Sequence, residues 1–186
     1  TIRNNKRTVI LSAMKNIGLI ITAAGSSQRF DAETNKILLP LKGKTVLEHC
    51  IDAFLVFDWE TIILTVSEET ESEIQELAKN YDEEILIIRG GKTRKDSVEK
   101  AVNAINSDFV MIHDGARPLV PKSMIEACRN TDPSISALIT GIKVSDTIKS
   151  VKDGIVEKTI PRDSLVKIQT PQRFKRLDLV NAYETP

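Results

Sequence analysis

The sequence has little to offer a disulfide framework, a membrane span or a nucleic-acid surface. Its two cysteines, Cys50 and Cys128, stand far apart in helical patterns and without metal-ligand spacing. They read as reduced core thiols of a cytoplasmic protein. No apolar run approaches the length that crosses a bilayer. Neither charge is in excess: 26 basic residues balance 26 acidic ones. That balance argues against nucleic-acid and membrane-surface partners, whose footprint is a basic surplus. Glycine is scarce as well, and the familiar phosphate loops go with it. After the first apolar run the loop holds Gly25 as its one glycine, so neither GxxxxGK[ST] nor GxGxxG is present.

What is present at that loop still points to phosphate. The apolar run 17–21 breaks into Thr22, Ala23, Ala24 and Gly25, then two serines, Arg29 and, seven residues on, Lys36. A buried strand that empties into small residues exposes backbone N–H groups at its carboxyl edge, a ready anion cradle. One guanidinium and one ammonium on the same loop make a clamp for several phosphates. The alternative is an ordinary strand-to-helix turn with solvated charges.

With 186 residues the chain has room for one domain with a sizeable core. Residues 1–13 carry Arg3, Lys6 and Arg7 ahead of Met14 and lack a full apolar signal region. They read as an upstream extension, with the domain at 14–186. Thr45-Val46-Leu47-Glu48 and Thr70-Glu71-Ser72-Glu73 are capping boxes that open two helices. Strands are expected at 61–66, 85–88, 109–112 and 136–140, with further helices starting at Asp96 and spanning 122–130. Strand and helix alternate with continuous apolar strands, which predicts a mainly parallel sheet covered on both faces, a three-layer α/β sandwich. The rhythm changes at 142–161. There 144–151 and 155–160 flank Lys152-Asp153-Gly154, and Asp-Gly is a strong hairpin signal. A lone hairpin is marginal, so it either folds back on its own sheet or is an arm that packs on another subunit.

Ligands of open α/β sheets sit beyond the carboxyl ends of the strands, where three loops converge. The Gly90 loop, GGKTRKDSV, presents bare backbone, Arg94 and Ser97, and its glycines let a planar base lie against the main chain. Asp114 leaves its strand as a lone carboxylate beside Gly115. A single hard oxygen ligand suits Mg²⁺, which takes its other ligands from substrate and water. Standing alone, such an Asp is more simply a turn former. His113 receives no role. Asp146-Thr147, Arg162 and Gln169-Thr170-Pro171-Gln172 gather polar groups around the hairpin. Arg162 reads as a strand residue able to bind a second phosphate or as a solvated edge charge.

Together these segments resemble one family. AAGSSQRF followed by NK, GGKTRKDSV, IHDGARP, SDTIK and the run from Arg162 to TPQ are similar, in order and spacing, to the methylerythritol phosphate cytidylyltransferases of the non-mevalonate isoprenoid pathway. The resemblance implies a Rossmann-like nucleotidyltransferase sheet with a protruding β-hairpin arm, and a homodimer joined through that arm. It implies transfer of CMP from CTP to methylerythritol phosphate with release of pyrophosphate, using Mg²⁺ or another divalent cation. On the same ground Arg29 and Lys36 match the triphosphate-binding pair. Ala23, Ala24, Gly25, Gly91 and Ser97 match the CTP-contacting segment, with Arg94 beside them. Asp114 matches the residue near metal and acceptor, and Arg117, Thr147, Arg162 and Thr170 match the acceptor-phosphate pocket. Arg29, Lys36 and Arg162 are then the catalytic cations. Ser27 stands where the family usually has a second glycine, and Lys92 where it usually has an acid. The family's fold also continues past Pro186, through a segment bearing a further lysine. Three readings stand beside this one: a ribitol phosphate cytidylyltransferase, which shares the loops, a non-catalytic CTP-binding module, and the front half of a fused bifunctional chain.

Overall fold

A computed structural model describes residues 16–25 and 35–185. The extension read at 1–13, and Arg29 with Ser27, lie outside the described residues. The sheet is built around β1 (Ile17–Ala23), whose run of branched residues is buried on both faces. It pairs in parallel with β4 (Ile62–Val66) on one side and with β6 (Phe109–Asp114) on the other. Beyond β4, β5 (Ile85–Arg89) continues the parallel series. Next to β6 the direction reverses, because β10 (Val166–Lys175) pairs antiparallel, and β7 (Ala137–Lys143) closes that edge antiparallel to β10. The order is β5-β4-β1-β6-β10-β7. The chain leaves β1 toward β4 and later returns on its other side at β6. A crevice therefore opens between the carboxyl ends of β1 and β6, the place where such sheets bind ligands.

Helices cover both faces, as the continuous strand pattern predicted. On one face α1 (Val46–Leu55), α2 (Glu71–Ala78) and α4 (Lys122–Arg129) press Leu47, Ile51, Phe54, Ile74 and Ile125 onto the alternate residues Leu19, Ile21, Leu64 and Met111. On the other, α3 (Arg94–Ala104) and α5 (Arg176–Glu184) cover Ile20, Ile63, Val110 and Ile112. Each fully buried large aliphatic here contributes about 1.5–3 kcal/mol.

Helix starts separate what pattern reading resolves from what it does not. Thr45 caps α1 with a complete capping box: its hydroxyl accepts from Glu48 N, and the Glu48 carboxylate accepts from Thr45 N. The box expected at Thr70 does not form. Thr70 has helical φ and ψ, and its hydroxyl turns back to Ser67 Oγ at 3.1 Å instead of reaching forward. The third helix begins at Arg94, two residues before the expected start, because Thr93 caps it with Asp96 as the reciprocal partner.

Two short ribbons complete the fold: β2 (Pro40–Leu41) with β3 (Lys44–Thr45), and the hairpin β8 (Ile148–Lys152) with β9 (Ile155–Ile160). The hairpin turn is the expected Asp153-Gly154, with φ of +50° and +79°, the left-handed pair that matches strand twist. Its first strand begins at Ile148 and not at Val144. The hairpin is a sheet of its own, and Val151, Ile155 and Val156 on it are exposed.

Candidate active site at the switch point of the sheet

Register sets the site. Thr22 of β1 lies directly beside Asp114 at the end of β6, and the Thr22 carbonyl accepts from Gly115 N at 2.9 Å. Gly115 packs closely: a Cβ there would lie 3.1 Å from both Leu47 Cδ1 and Thr22 O. The amino end of α1 is thereby packed against the Asp114 turn. Leu47 N in turn donates to Ile37 O at 2.8 Å, which fixes the backbone next to exposed Lys36. Ile37 is buried in the same core.

The Gly90 loop and the end of β1 also meet by contact. A Cβ on Gly90 would be 2.5 Å from Ala24 Cβ and 2.6 Å from Ser97 Oγ, and one on Gly91 would be 2.2 Å from Asp96 Cβ. These glycines permit close packing of the loops. They are not the bare amides expected from sequence. Gly90 N donates to Val66 O, Gly91 N donates to Ser97 Oγ, and Gly90 O accepts from Lys100 Nζ. Ser97 is buried, and its hydroxyl donates to Thr93 O. It braces the loop from beneath. Ala24 and Gly25 stand at the rim, with Gly25 exposed and open space where its side chain would be.

Asp114 is not the lone carboxylate read from sequence. Its Oδ1 takes Arg94 Nε at 3.0 Å and Nη2 at 2.9 Å, with the Thr22 hydroxyl at 3.4 Å. Its Oδ2 takes Arg117 Nε at 3.0 Å. Partial burial pushes the Asp114 pKa up, but the charge and hydrogen bonds of Arg94 and of Arg117 outweigh it. The carboxyl is held below its ordinary value of 3.8. Arg94 arrives from the Gly90 loop and Arg117 from the opposite flank, so one anion sits between two cations of different origin.

The flank opposite Arg94 is tied to Arg117. Its Nη1 donates to Gln169 Oε1, and the Thr170 hydroxyl accepts from Asp114 N at 3.3 Å. His113, given no role from sequence, is wholly buried. Its Nε2 meets Arg117 O at 3.0 Å, and its ring lies 4.8 Å from that of Phe54. A carbonyl only accepts, so Nε2 carries the hydrogen, and Nδ1 is left without a partner. Burial, the largest influence, keeps the His113 pKa below 6.5. A residue that anchors through an internal carbonyl has no signature in sequence. A hollow of about 380 Å³ opens here, lined by His113, Arg117, Leu119, Ile142, Gln169 and Thr170. A larger one, about 520 Å³, lies between α2 and β5 among Asp82, Glu83 and Glu84; none of the expected site residues lines it.

Arg162 is placed differently from expectation. It lies in a 3₁₀ turn, not a strand, and its Nη1 donates to Ser145 O at 2.7 Å at the root of the hairpin. Thr147 is exposed on the same root. Arg162 is anchored to the arm, whereas Arg94, Arg117 and Thr170 converge on Asp114.

Among the described residues no three acidic, histidine or cysteine groups gather into an all-protein metal cage. One carboxylate is what Mg²⁺ uses when substrate phosphates supply other ligands. With Oδ2 engaged by one Arg117 N–H, the carboxylate keeps lone-pair capacity for a cation. The residues therefore fit a phosphate-borne divalent ion.

Comparison with known proteins gives one answer. The family model described as 2-C-methyl-D-erythritol 4-phosphate cytidylyltransferase matches residues 17–186. The protein of that name from Dehalococcoides mccartyi is 36% identical over 174 residues, covering 91% of this chain and 76% of that one. Its namesake from Clostridioides difficile is 36% identical over 171 residues, covering 89% and 72%. The crystal structure of 4-diphosphocytidyl-2C-methyl-D-erythritol synthase from Anaerococcus prevotii superposes with a TM-score of 0.79 at 32% identity, over 92% of this chain and 76% of that chain.

Proposed function

The chain belongs to the 2-C-methyl-D-erythritol 4-phosphate cytidylyltransferase family, and on that premise we propose that the crevice around Asp114 is where its two substrates meet. The enzyme is a nucleotidyltransferase of isoprenoid precursor synthesis. It moves CMP from CTP to 2-C-methyl-D-erythritol 4-phosphate and releases pyrophosphate. The observation that carries the site assignment is the placement of Asp114 between Arg94 of the nucleotide-side loop and Arg117 of the opposite flank.

An oxygen of the acceptor's phosphate attacks the α-phosphorus of CTP. As that bond forms, the bond from the α-phosphorus to the bridging oxygen breaks, and pyrophosphate leaves with the electron pair. The nucleophile is anionic at neutral pH and needs no general base, so the chain's contribution is positioning and charge neutralisation. Arg29, Lys36 and Arg94 hold the triphosphate at the rim formed by Ala23, Ala24 and Gly25. Gly91 and Ser97 shape the loop against which the base lies. Arg117 and Thr170 receive the acceptor phosphate. Asp114 would hold the divalent cation, which when bound neutralises phosphate charge and orients the α-phosphoryl group.

A homodimer built on the arm, residues 142–161, completes the proposal. The exposed Val151, Ile155 and Val156 on the hairpin, and Ile139, Ile142, Val166 and Ile168 on the β7–β10 edge, are apolar surface that a second copy would cover. In that assembly Arg162 and Thr147 serve the neighbouring crevice. The reaction is placed in the cytoplasm, where buried thiols such as Cys50 and Cys128 stay reduced. Among the described residues no helix is long and apolar enough to cross a membrane.

The test is a CMP-transfer assay offering methylerythritol phosphate and ribitol phosphate in parallel. Pyrophosphate release with the former supports the assignment. Exclusive use of ribitol phosphate, or CTP binding without turnover, contradicts it.

A further inference from the structure

The contacts at Asp114 leave its nucleotide-side oxygen closed to a metal ion. Oδ1 accepts both Nε and Nη2 of Arg94, with the Thr22 hydroxyl beside them. Arg117 sits on Oδ2 and is held in turn by Gln169 on the acceptor flank. Two guanidinium groups thus surround one carboxylate, and a dication arriving alone meets like charge on both sides. The two arginines are not equivalent. Arg94 is the first residue of α3, directly after the Thr93 cap, and its side chain is half exposed on the loop that flanks Ala24.

We propose that Arg94 is an exchangeable counter-ion. Before nucleotide binds it occupies Oδ1 of Asp114, which leaves a cation only the remaining lone pair of Oδ2 beside Arg117; a triphosphate then draws the guanidinium onto its own oxygens and opens Oδ1 to a divalent cation. The inference rests on reading the crevice as a triphosphate site, and it adds a reason for metal and nucleotide to arrive together. A guanidinium prefers a phosphate of higher charge, which it meets in the same bidentate geometry it offers a carboxylate. Because coupling is reciprocal, the residue that suppresses metal binding without nucleotide also strengthens nucleotide binding in the presence of metal.

The experiment uses Mn²⁺ alone as the probe. Free Mn²⁺ is followed by electron paramagnetic resonance against the full chain, with neither CTP nor acceptor present. Arg94→Gln is expected to bind Mn²⁺ at least about tenfold more tightly than the parent chain, within the usual range of coupling between sites. Combining Arg94→Gln with Asp114→Asn is expected to abolish that gain. Lys92→Gln, which removes a nearby charge of the same loop, should stay within about twofold of the parent, since screened surface charges contribute little. Arg94→Ala carries the same expectation if the glutamine variant does not fold. An unchanged affinity in the folded Arg94 variants overturns the proposal, as does a gain that survives loss of the Asp114 carboxylate or appears equally in Lys92→Gln. Turnover is not measured in this experiment, so failure of CMP transfer and failure of the exchange are told apart.

Discussion

At the scale of single residues, burial and not exposure decides the chemistry around the crevice. His113 is neutral in the fold because its Nδ1 lies without an acceptor while Nε2–H holds Arg117 O. Its folded pKa is depressed below 6.5. The stability this neutrality confers is therefore full above 6.5 and is lost as pH falls from there through the folded value. The expected slope is at most about 1.4 kcal/mol per pH unit. Urea unfolding between pH 7.5 and 5 should show stability falling with acidity in the parent chain, and a flatter profile in His113→Gln. Cys50 gives a second test. It is wholly buried, and burial first, then the nearby Asp114 charge, pushes its thiol up to about 12. Cys128 is raised as well, again chiefly by burial. At pH 8 neither thiol should react with a disulfide reagent in the folded protein, and both should react in denaturant. Rapid labelling of the native chain would show that the α1 and α4 face opens more readily than its packing implies.

At the scale of elements, the loops are positioned by close contacts that only small residues permit. Gly90→Ala places a methyl 2.5 Å from Ala24 Cβ and 2.6 Å from Ser97 Oγ. The expected cost is about 1–3 kcal/mol of stability, seen as a lower urea midpoint with unchanged slope, together with weaker CTP binding. By contrast Thr45→Ala removes a cap on the α1 side and should cost about 1 kcal/mol while leaving turnover intact. The apolar runs of β1, β4 and β6 and the Thr45 box were legible in sequence because each is a local pattern with a direct physical consequence. The Thr70 box was not, since one hydroxyl had two local partners and took Ser67. Arg173 was no more legible: an arginine in β10 reads as solvated, yet it is 2% exposed, with its guanidinium carbon 3.8 Å over the Phe109 ring. The loops that bear Asp114, Arg94 and Arg117 could be found from their sequence. Their mutual ion pairing could not, because it depends on three segments meeting at a switch point.

At the scale of the whole molecule, the fold places two arginine-bearing flanks on either side of one carboxylate and leaves apolar surface on the hairpin and the β7–β10 edge. If that surface is a dimer interface, Ile155→Asp should shift sedimentation toward a monomer. It should also lower turnover in parallel, because Thr147 lies on the same arm and Arg162 at its root. A monomeric variant of full activity would remove the arm from the site. Lys36→Ala and Arg29→Ala should each lower the transfer rate by on the order of 10² to 10³, about 3 to 4 kcal/mol, as loss of one preorganised donor does. The division of the crevice is tested most directly by the Michaelis constants of both substrates, measured side by side in Lys36→Ala and Arg117→Ala. The account predicts that Lys36→Ala raises the constant for CTP, while Arg117→Ala raises that for the acceptor at least about tenfold and leaves CTP within about twofold, a one-sided loss of ground-state binding. A common shift of the CTP constant in both variants would contradict it.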